Sequence, residues 1–225
     1  MNEIRKAVVT AVRQLTPHVR EIEMESEGEP LNFAPGQWLS LRLPVSDKPP
    51  LNRAYSLADA PQASGKLVLC FDRIPEGLGS NYLWEVEPGT TLEFTGPHGN
   101  FVLPEESGNL LFVARYTGIV PFRAMLMHLS RQANPPQVML VYSSPGDEET
   151  VYREELRLLS SGTGWFQMME VPEGHELGTL EVEAEALRPF TPFVCGTRFF
   201  TRPVRAFLMD RFGFERRAVQ VENFN

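Results

Sequence analysis

In the first half of the chain, apolar and polar positions alternate in short runs cut by proline and glycine. His18-Val19-Arg20-Glu21-Ile22-Glu23-Met24, Trp38-Leu39-Ser40-Leu41-Arg42-Leu43, Ala54-Tyr55-Ser56-Leu57, Lys66-Leu67-Val68-Leu69-Cys70-Phe71 and Thr91-Leu92-Glu93-Phe94 each fit one strand, and Val8 and Val12 mark another before them. A period of two puts successive side chains on opposite faces of a sheet, so each strand has one face for a core and one for water. Pro35-Gly36, Pro49-Pro50, Ser64-Gly65, Pro88-Gly89 and Gly96-Pro97 supply the turns. Six strands punctuated in this way predict an antiparallel barrel. One helix, from about Gly79 to Val86, interrupts them.

The pattern changes across Glu105-Glu106-Ser107-Gly108-Asn109, a polar linker. Leu110-Leu111-Phe112-Val113-Ala114 is a continuous apolar run, as in strands of parallel sheets covered on both faces. Tyr116-Thr117-Gly118-Ile119-Val120-Pro121 then leads into a helical pattern through Phe122, Met125, Leu126 and Leu129. The alternation recurs, with strands at residues 138–142, 165–169 and 193–195, helices at 151–156 and 203–212, and a last apolar stretch at 218–221. Strands alternating with helices predict an α/β doubly wound parallel sheet. Pro172, Gly174, Gly178 and Pro189 crowd the interval from Glu170 to Arg188, which predicts a short or irregular crossover there. Two domains follow, residues 1–105 and 106–225.

A chain of 225 residues is long enough for both to bury a core. No apolar run is long enough to span a bilayer, and the amino terminus lacks the apolar stretch of a signal peptide, so the expected location is cytoplasmic with no membrane partner. Lys and Arg number 21 against 29 Asp and Glu, a net charge of -8 that argues against a nucleic-acid partner. Cys70 and Cys195 are the only cysteines and both sit in apolar runs, so they read as small buried hydrophobes. Two thiolates are too few to hold an iron–sulfur cluster. His18, His98, His128 and His175 lack ligand spacing, and no metal site is expected.

The candidate chemistry begins at Arg53-Ala54-Tyr55-Ser56. On one strand Arg53 and Tyr55 share a face while Ser56 points the other way, so the segment offers a guanidinium fork, an aromatic face and a hydroxyl. That set suits a flavin nucleotide; the alternative is a half-buried strand with a surface arginine. Gly77-Leu78-Gly79-Ser80-Asn81 opens the predicted helix, where glycines permit close backbone approach and Ser80 can cap free amides. Such a start is either a pyrophosphate site or simply a capped helix.

Four ordered motifs, Pro35-Gly36-Gln37, Arg53-x-Tyr55-Ser56, Gly77-x-x-Ser80 and Gly96-Pro97-x-Gly99-x-Phe101, resemble those of the ferredoxin–NADP reductase-like family of FAD- and NAD(P)-binding oxidoreductases. The resemblance covers essentially the whole chain. It implies two domains: an antiparallel six-stranded Greek-key β-barrel for FAD, followed by the α/β doubly wound parallel sheet for NAD(P). Arg53 is then implied at the pyrophosphate, Tyr55 against the isoalloxazine ring and Ser56 near its reactive edge. Ala54, Phe71, Asp72, Gly77, Gly79, Ser80 and Asn81 complete the implied FAD site. Thr117, Gly118, Pro121, Cys195 and Gly196 are implied at the nicotinamide nucleotide, and Phe224 at the flavin. Ser56, Cys195 and Glu222 are the implied catalytic residues.

The second domain departs from the family pattern. Arg115 and Tyr116 stand where two glycines are usual, and Arg198-Phe199-Phe200 follows Cys195-Gly196-Thr197 where small residues are usual. Arg115 and Tyr116 either adopt ordinary strand geometry with side chains outward, or Tyr116 fills the nicotinamide site and Arg115 adds a phosphate contact. Phe199 and Phe200 are expected to crowd the same pocket. The loop Ser143-Ser144-Pro145-Gly146-Asp147-Glu148-Glu149 carries three acids where NADPH would require a cation, which leans toward NADH over NADPH; Arg153 and Arg198 are the counterweights. The expected activity is electron transfer from NAD(P)H through FAD to a separate acceptor: a ferredoxin, a flavodoxin, an oxygenase component, ferric iron or a small molecule such as a quinone. The rival reading is a flavin-binding relay or regulatory subunit with impaired nicotinamide binding, and a third is a barrel without flavin.

Overall fold

The protein is described from a computed structural model, for residues 3–45, 49–105 and 108–224. Linker residues 106 and 107, where the sequence places the domain boundary, and the terminal residue 225 lie outside the described residues. The chain divides into two compact units, residues 1–103 with 120–128, and residues 104–119 with 129–225.

In the first unit β1 (Arg5–Gln14), β2 (Val19–Ser26), β3 (Trp38–Leu43), β4 (Leu51–Ser56), β5 (Lys66–Asp72) and β6 (Thr91–His98) form an antiparallel sheet in the order β4-β3-β6-β1-β2-β5. The sheet curls until its two edges meet. Leu57, just past β4, bridges Leu69 of β5, and the Ala58 amide donates to the Val68 carbonyl at 2.8 Å. Closure removes the free edges and makes the predicted barrel. Alternation does the rest: Leu39, Leu41 and Leu43 of β3 point inward to meet Ile22, Met24, Leu67, Leu69 and Phe94. Burying each such side chain contributes about 1.5–3 kcal/mol.

One predicted turn is a strand instead. Gly96-Pro97 lies inside β6, which runs on to His98, because the β3–β6 register slips between Trp38 and Ser40 and the extra residues are absorbed there. Helix α1 (Leu78–Trp84) sits between β5 and β6, close to its predicted place.

The first unit also takes α2 (Val120–Leu129), the helix that follows the first strand of the second half. Phe122 stacks at a tilt on Phe101 with ring centroids 5.7 Å apart, and Arg123 Nη1 donates to the Ala58 carbonyl at 2.7 Å. Gly36 lies in the same junction, at φ +100. A Cβ there would stand 2.0 Å from the Phe101 carbonyl oxygen and 2.6 Å from the Met125 methyl. The neighbouring Gln37 ties these loops together, accepting from the Ala34 amide at 2.8 Å and donating to the Gly99 carbonyl at 3.1 Å. Two of the four recognised motifs therefore hold loops against each other.

The second unit is a five-stranded parallel sheet, ordered β11-β10-β7-β8-β9. Its strands are β7 (Asn109–Arg115), β8 (Val138–Ser143), β9 (Phe166–Glu170), β10 (Phe190–Thr197) and β11 (Gln220–Phe224). All six residues of β8 are buried, as expected of a central strand covered on both faces. Helices α3 (Arg153–Gly162), α4 (Glu176–Glu183) and α5 (Arg198–Phe212) connect the strands, and α4 passes into a 3-10 turn at Ala184–Leu187, the irregular crossover that the prolines and glycines predict. Helix α5 starts five residues earlier than its predicted Pro203; that proline falls in the second turn of the helix.

Replacing Gly36 by Ala is expected to lower stability by about 3 kcal/mol, from overpacking against a backbone carbonyl together with positive-φ strain. Gly28→Ala is the control, since φ there is +78 but a Cβ would meet nothing within 4 Å; it should lose about 1 kcal/mol or less. Equal urea midpoints for the two variants would refute the close-approach argument.

Candidate functional site

On the barrel, β4 carries Asn52, Arg53 and Ala54 exposed in succession, then Tyr55 half-buried and Ser56 buried. Three exposed residues in a row are unusual for a strand in a closed barrel, and they mark a surface without a covering layer. Among the described residues the Arg53 guanidinium makes one hydrogen bond, from Nη1 to the Asn52 carbonyl at 2.9 Å. Tyr55 meets Phe71 edge-on with centroids 5.9 Å apart, and Phe71 meets Trp84 in the same way. Burial pushes the Tyr55 hydroxyl up to about 12, with Arg53 lowering it and Asp72 raising it, so Tyr55 is neutral over the physiological range.

Gly79, in the first turn of α1, faces this pair. A Cβ at Gly79 would lie 3.1 Å from Arg53 Cγ, 3.2 Å from a Leu43 methyl and 3.4 Å from Tyr55 Oη. Arg53, Tyr55 and the start of α1 are thus brought together, as the motif order implies. The amide groups that open a helix have no intrahelical acceptor, and here they sit beside an exposed guanidinium. Charge-assisted donors next to an aromatic face fit the phosphate bridge and flat ring of FAD.

The cap does not form as expected. The N-cap residue is Gly77, which has no side-chain cap, and Ser80 turns inward. Its Oγ accepts from the Ile74 amide at 3.0 Å and lies 3.2 Å from the Gly77 carbonyl. Asn81 donates to the Pro75 carbonyl at 3.0 Å and accepts from Arg73 Nε at 2.9 Å. Both side chains hold the turn before the helix, which leaves the backbone amides, rather than the side chains, to face a ligand.

In the second unit the strand order reverses between β7 and β10, and ligands of such sheets bind beyond the carboxyl ends of the strands at this point. The 3-10 turn Tyr116–Ile119 follows β7 there, and Cys195-Gly196 ends β10 beside it. A Cβ on Gly118 would stand 2.3 Å from the Cys195 carbonyl oxygen, and one on Gly196, at φ +154, would stand 2.9 Å from the Phe200 ring. Thr117, Gly118, Cys195 and Gly196 are therefore brought together, and both glycines are required sterically. In the β10–β11 register Cys195 pairs with Glu222 and Thr197 with Phe224, so the last described residues form a strand. Cys195 is fully buried, and burial, then the Glu222 charge, holds its thiol well above its ordinary pKa. It is a neutral thiol here. Burial also raises the pKa of Glu222.

The two large residues in the glycine positions behave differently from each other. Arg115 ends β7 in ordinary strand geometry, and its guanidinium pairs with Glu173. Tyr116 is not in strand geometry: its φ is +52, a left-handed conformation that favours glycine. The surroundings hold it there. Tyr142 Oη, buried between the turns, accepts from the Val151 amide at 3.1 Å and lies 3.2 Å from the Tyr116 carbonyl, while Tyr116 Oη donates to Glu149 at 3.1 Å. Tyr142 and Glu149 were not legible as partners from the sequence, because the contact joins two separate βα loops. Of the two phenylalanines expected to crowd the pocket, Phe200 lies against Gly196 and Phe199 turns away. Phe200 is buried in the core with Val204 and Leu208, and Phe199 stands 93% exposed. Consecutive helix residues point about 100° apart, so one core-facing phenylalanine turns the other outward.

In the acidic loop after β8, Arg153 donates to Glu170 at 2.6 Å and to Asp147 at 3.0 Å, and Arg157 donates to Glu170 at 2.9 Å. These acids hold the nearby arginines in place.

A flavin-type site on a closed barrel, followed by a parallel sheet with a glycine-lined switch point, defines a two-domain flavin and nicotinamide-nucleotide oxidoreductase. Residues 6–103 match the family model for the oxidoreductase FAD-binding domain. The chain is 32% identical to ferredoxin–NADP reductase B of Sorangium cellulosum over 98% of its own length and 97% of that protein's. It is 28% identical to the ferredoxin reductase component of 3-ketosteroid-9-alpha-monooxygenase from Rhodococcus rhodochrous, over 96% of this chain and 64% of that protein. Its fold matches ferredoxin-NADP+ reductase from Plasmodium falciparum with a TM-score of 0.85 at 18% identity, covering 97% and 95% of the two chains. The chain belongs to the ferredoxin–NADP reductase-like family of NAD(P)H-dependent flavin oxidoreductases.

Because the folded-state pKa of Glu222 lies above its unfolded value, Glu222 favours folding only while protonated, and that contribution is lost as pH rises through the folded pKa. Glu222→Gln should therefore raise the melting temperature at pH 7, with the gain vanishing below about pH 4. A gain that persists in acid, or a loss at neutral pH, would contradict the assignment.

Proposed function

We propose that the chain transfers electrons from NADH through FAD to a separate acceptor, with FAD held by residues 1–105 and the nicotinamide nucleotide by residues 106–225. What carries this reading is the arrangement of Arg53 and Tyr55 against Gly79, where the missing Cβ keeps a charged and aromatic cradle open. The Sorangium cellulosum relative, similar over almost its full length, is a ferredoxin–NADP reductase, which supports the same activity for this chain.

FAD, when bound, supplies the redox chemistry, taking electrons in pairs and releasing them singly. Arg53 would neutralise the pyrophosphate, with the first amides of α1 at Gly79 and Ser80 beside it, while Gly77 shapes the turn and accepts from the Asn81 amide at 3.0 Å. Tyr55, kept neutral by burial, lies against the ring, with Phe71 and Asp72 supporting it from β5 and Ala54 leaving the adjoining surface open. Ser56 orients the reactive edge. In the second unit Thr117, Gly118, Cys195 and Gly196 would receive the nicotinamide nucleotide; Pro121, which opens α2, belongs to the first unit. Cys195 acts there as a neutral thiol, Glu222 as a carboxyl group of raised pKa, and Phe224 as an aromatic wall.

NADH is favoured over NADPH. Asp147, Glu148 and Glu149 make the loop after β8 acidic, and Arg153 and Arg157 are held by Asp147 and Glu170, so an extra phosphate would meet carboxylates. The acceptor is a ferredoxin, a flavodoxin, an oxygenase component or a small molecule, and the site of action is the cytoplasm. No helix among the described residues is long and apolar enough to cross a membrane. One observation favours the alternative of a relay or regulatory subunit with impaired nicotinamide binding: Tyr116 occupies a left-handed position usual for glycine and is tied to Glu149.

Stopped-flow bleaching of the flavin separates these readings. NADH should reduce the protein at least about tenfold more efficiently than NADPH, a difference of about 1.4 kcal/mol. Comparable rates would remove the acidic-loop argument, and failure of both nucleotides would favour the relay reading. In that event Tyr116→Gly should restore reduction; a protein still inert would show that the tyrosine is not the block.

A further inference from the structure

Among the described residues, two that are not glycine hold a left-handed backbone, Tyr116 at φ +52 and Tyr152 at φ +59. Tyr116 opens the turn after β7, and Tyr152 stands at the N-cap of α3, where the loop after β8 ends. Glycine takes such angles without strain, whereas a bulky residue keeps them only where its surroundings impose them. Strain of this kind collects at sites that must keep one fixed geometry. The two positions belong to separate βα connections, yet both adjoin the same atom.

That atom is the hydroxyl oxygen of Tyr142, a fully buried residue near the carboxyl end of β8. It accepts from the Val151 amide, next in sequence to Tyr152, at 3.1 Å. Its single proton has the Tyr116 carbonyl at 3.2 Å as the nearer acceptor, with the Val151 carbonyl at 3.5 Å. One hydroxyl therefore meets the backbone beside each left-handed residue. A phenylalanine would fill the same space in the sheet, so it is the hydroxyl rather than the ring that this arrangement uses. The loop it anchors is closed on itself, since Ser144 Oγ lies 2.7 Å from Thr150 Oγ1 and donates to the Gly146 carbonyl at 3.2 Å. Tyr116 Oη reaches the same loop, donating to Glu149 at 3.1 Å. A glycine at residue 116 has no side chain to make that tie, which gives the strain at Tyr116 a use.

We propose that the Tyr142 hydroxyl couples the two turns at the carboxyl ends of β7 and β8, holding both left-handed, and is thereby a positioning residue for nucleotide binding. The proposal rests on the reading of the second unit as the nicotinamide-nucleotide site. A dinucleotide along the carboxyl ends of the strands meets the turn at Thr117 and Gly118 and also the acidic loop, so its affinity depends on both being held at once. Without the hydroxyl, the Val151 amide and the Tyr116 carbonyl lose their shared partner, and each tyrosine is free to relax toward an ordinary backbone angle. One deleted oxygen then loosens two turns that are distant in sequence.

The test compares the FAD-loaded full chain with Tyr142→Phe, alone and combined with Tyr116→Gly/Tyr152→Gly. Without nucleotide, hydrogen exchange in Tyr142→Phe should be faster by about tenfold or more in residues 116–119 and 146–153 together, and unchanged in residues 110–114 and 138–141. Faster exchange in one segment alone would mean two independent turns, and faster exchange through the strands a general loss of packing; either overturns the coupling. Calorimetric titration with NAD+, which the oxidised flavin does not consume, should give an affinity about tenfold weaker in Tyr142→Phe, while flavin reduction at saturating NADH changes by less than about twofold. With glycine at both positions the left-handed angles no longer need the hydroxyl, so adding Tyr142→Phe should weaken NAD+ binding by less than about threefold. A tenfold loss in both backgrounds overturns the proposal, as does unchanged NAD+ affinity in Tyr142→Phe. An unsubstituted chain that binds no NAD+ but shows the paired exchange response would fail the nucleotide reading while leaving the coupling supported.

Discussion

The switch point of the parallel sheet depends on how closely two stretches of backbone approach. Gly118 lies so near the Cys195 carbonyl that a Cβ would overlap it at 2.3 Å, and Gly196 lies so near Phe200 that one would stand at 2.9 Å. With these two positions empty of side chain, β7 and β10 can end side by side, and the chain can leave them in opposite directions to open a crevice. The consequences spread through the unit: β11 adds in register beyond β10 and sets Glu222 beside Cys195, while Phe200 fills the core under the first turn of α5. The barrel has a matching constraint at Gly79, where an absent Cβ keeps the start of α1 against Arg53 and Tyr55.

Around these gaps, charge is arranged by pairing. Near the loop after β8 the arginines are held by Asp147 and Glu170, and at the end of β7 Arg115 is held by Glu173. Surface pairs of this kind contribute little to stability, typically about 0–1 kcal/mol each. Their larger effect is on what a ligand meets, because a guanidinium already matched to a carboxylate has few donors left for a phosphate. Arg53 and the face of α5 are the contrasting cases. Among the described residues Arg53 bonds its neighbour's carbonyl and no carboxylate, and Arg198, Arg202 and Arg205 of α5 have no carboxylate partner, whereas Arg211 on the same helix pairs with Glu181.

Much of this was legible in the chain itself, because local periodicity reports local burial. The two-residue alternation of residues 38–43 and the unbroken apolar run of residues 110–114 distinguish a one-sided antiparallel strand from a two-sided parallel one, and both strands occur where the pattern puts them. The crowded prolines and glycines between residues 170 and 188 likewise foretell the short α4 and its 3-10 ending. The strand alone shows that Arg53 and Tyr55 share a face; Gly79 is grouped with them only through the resemblance to the family, whose motifs occur in this order.

What only the tertiary structure decided are contacts between segments that carry no mutual signal. Gly96-Pro97 reads as a turn until the slipped register with β3 draws it into β6. Ser80 reads as a cap until the preceding turn claims its hydroxyl. Phe199 and Phe200 read alike until helix geometry sends one to the core and the other to solvent. Tyr116 reads either as an ordinary strand residue or as a side chain filling the nicotinamide site until Tyr142 and Glu149, from the neighbouring strand and loop, hold it at a positive φ. Sequence determines which conformations each residue tolerates; the choice among them depends on partners brought in by the fold, and their free energy of a few kcal/mol exceeds the local preference.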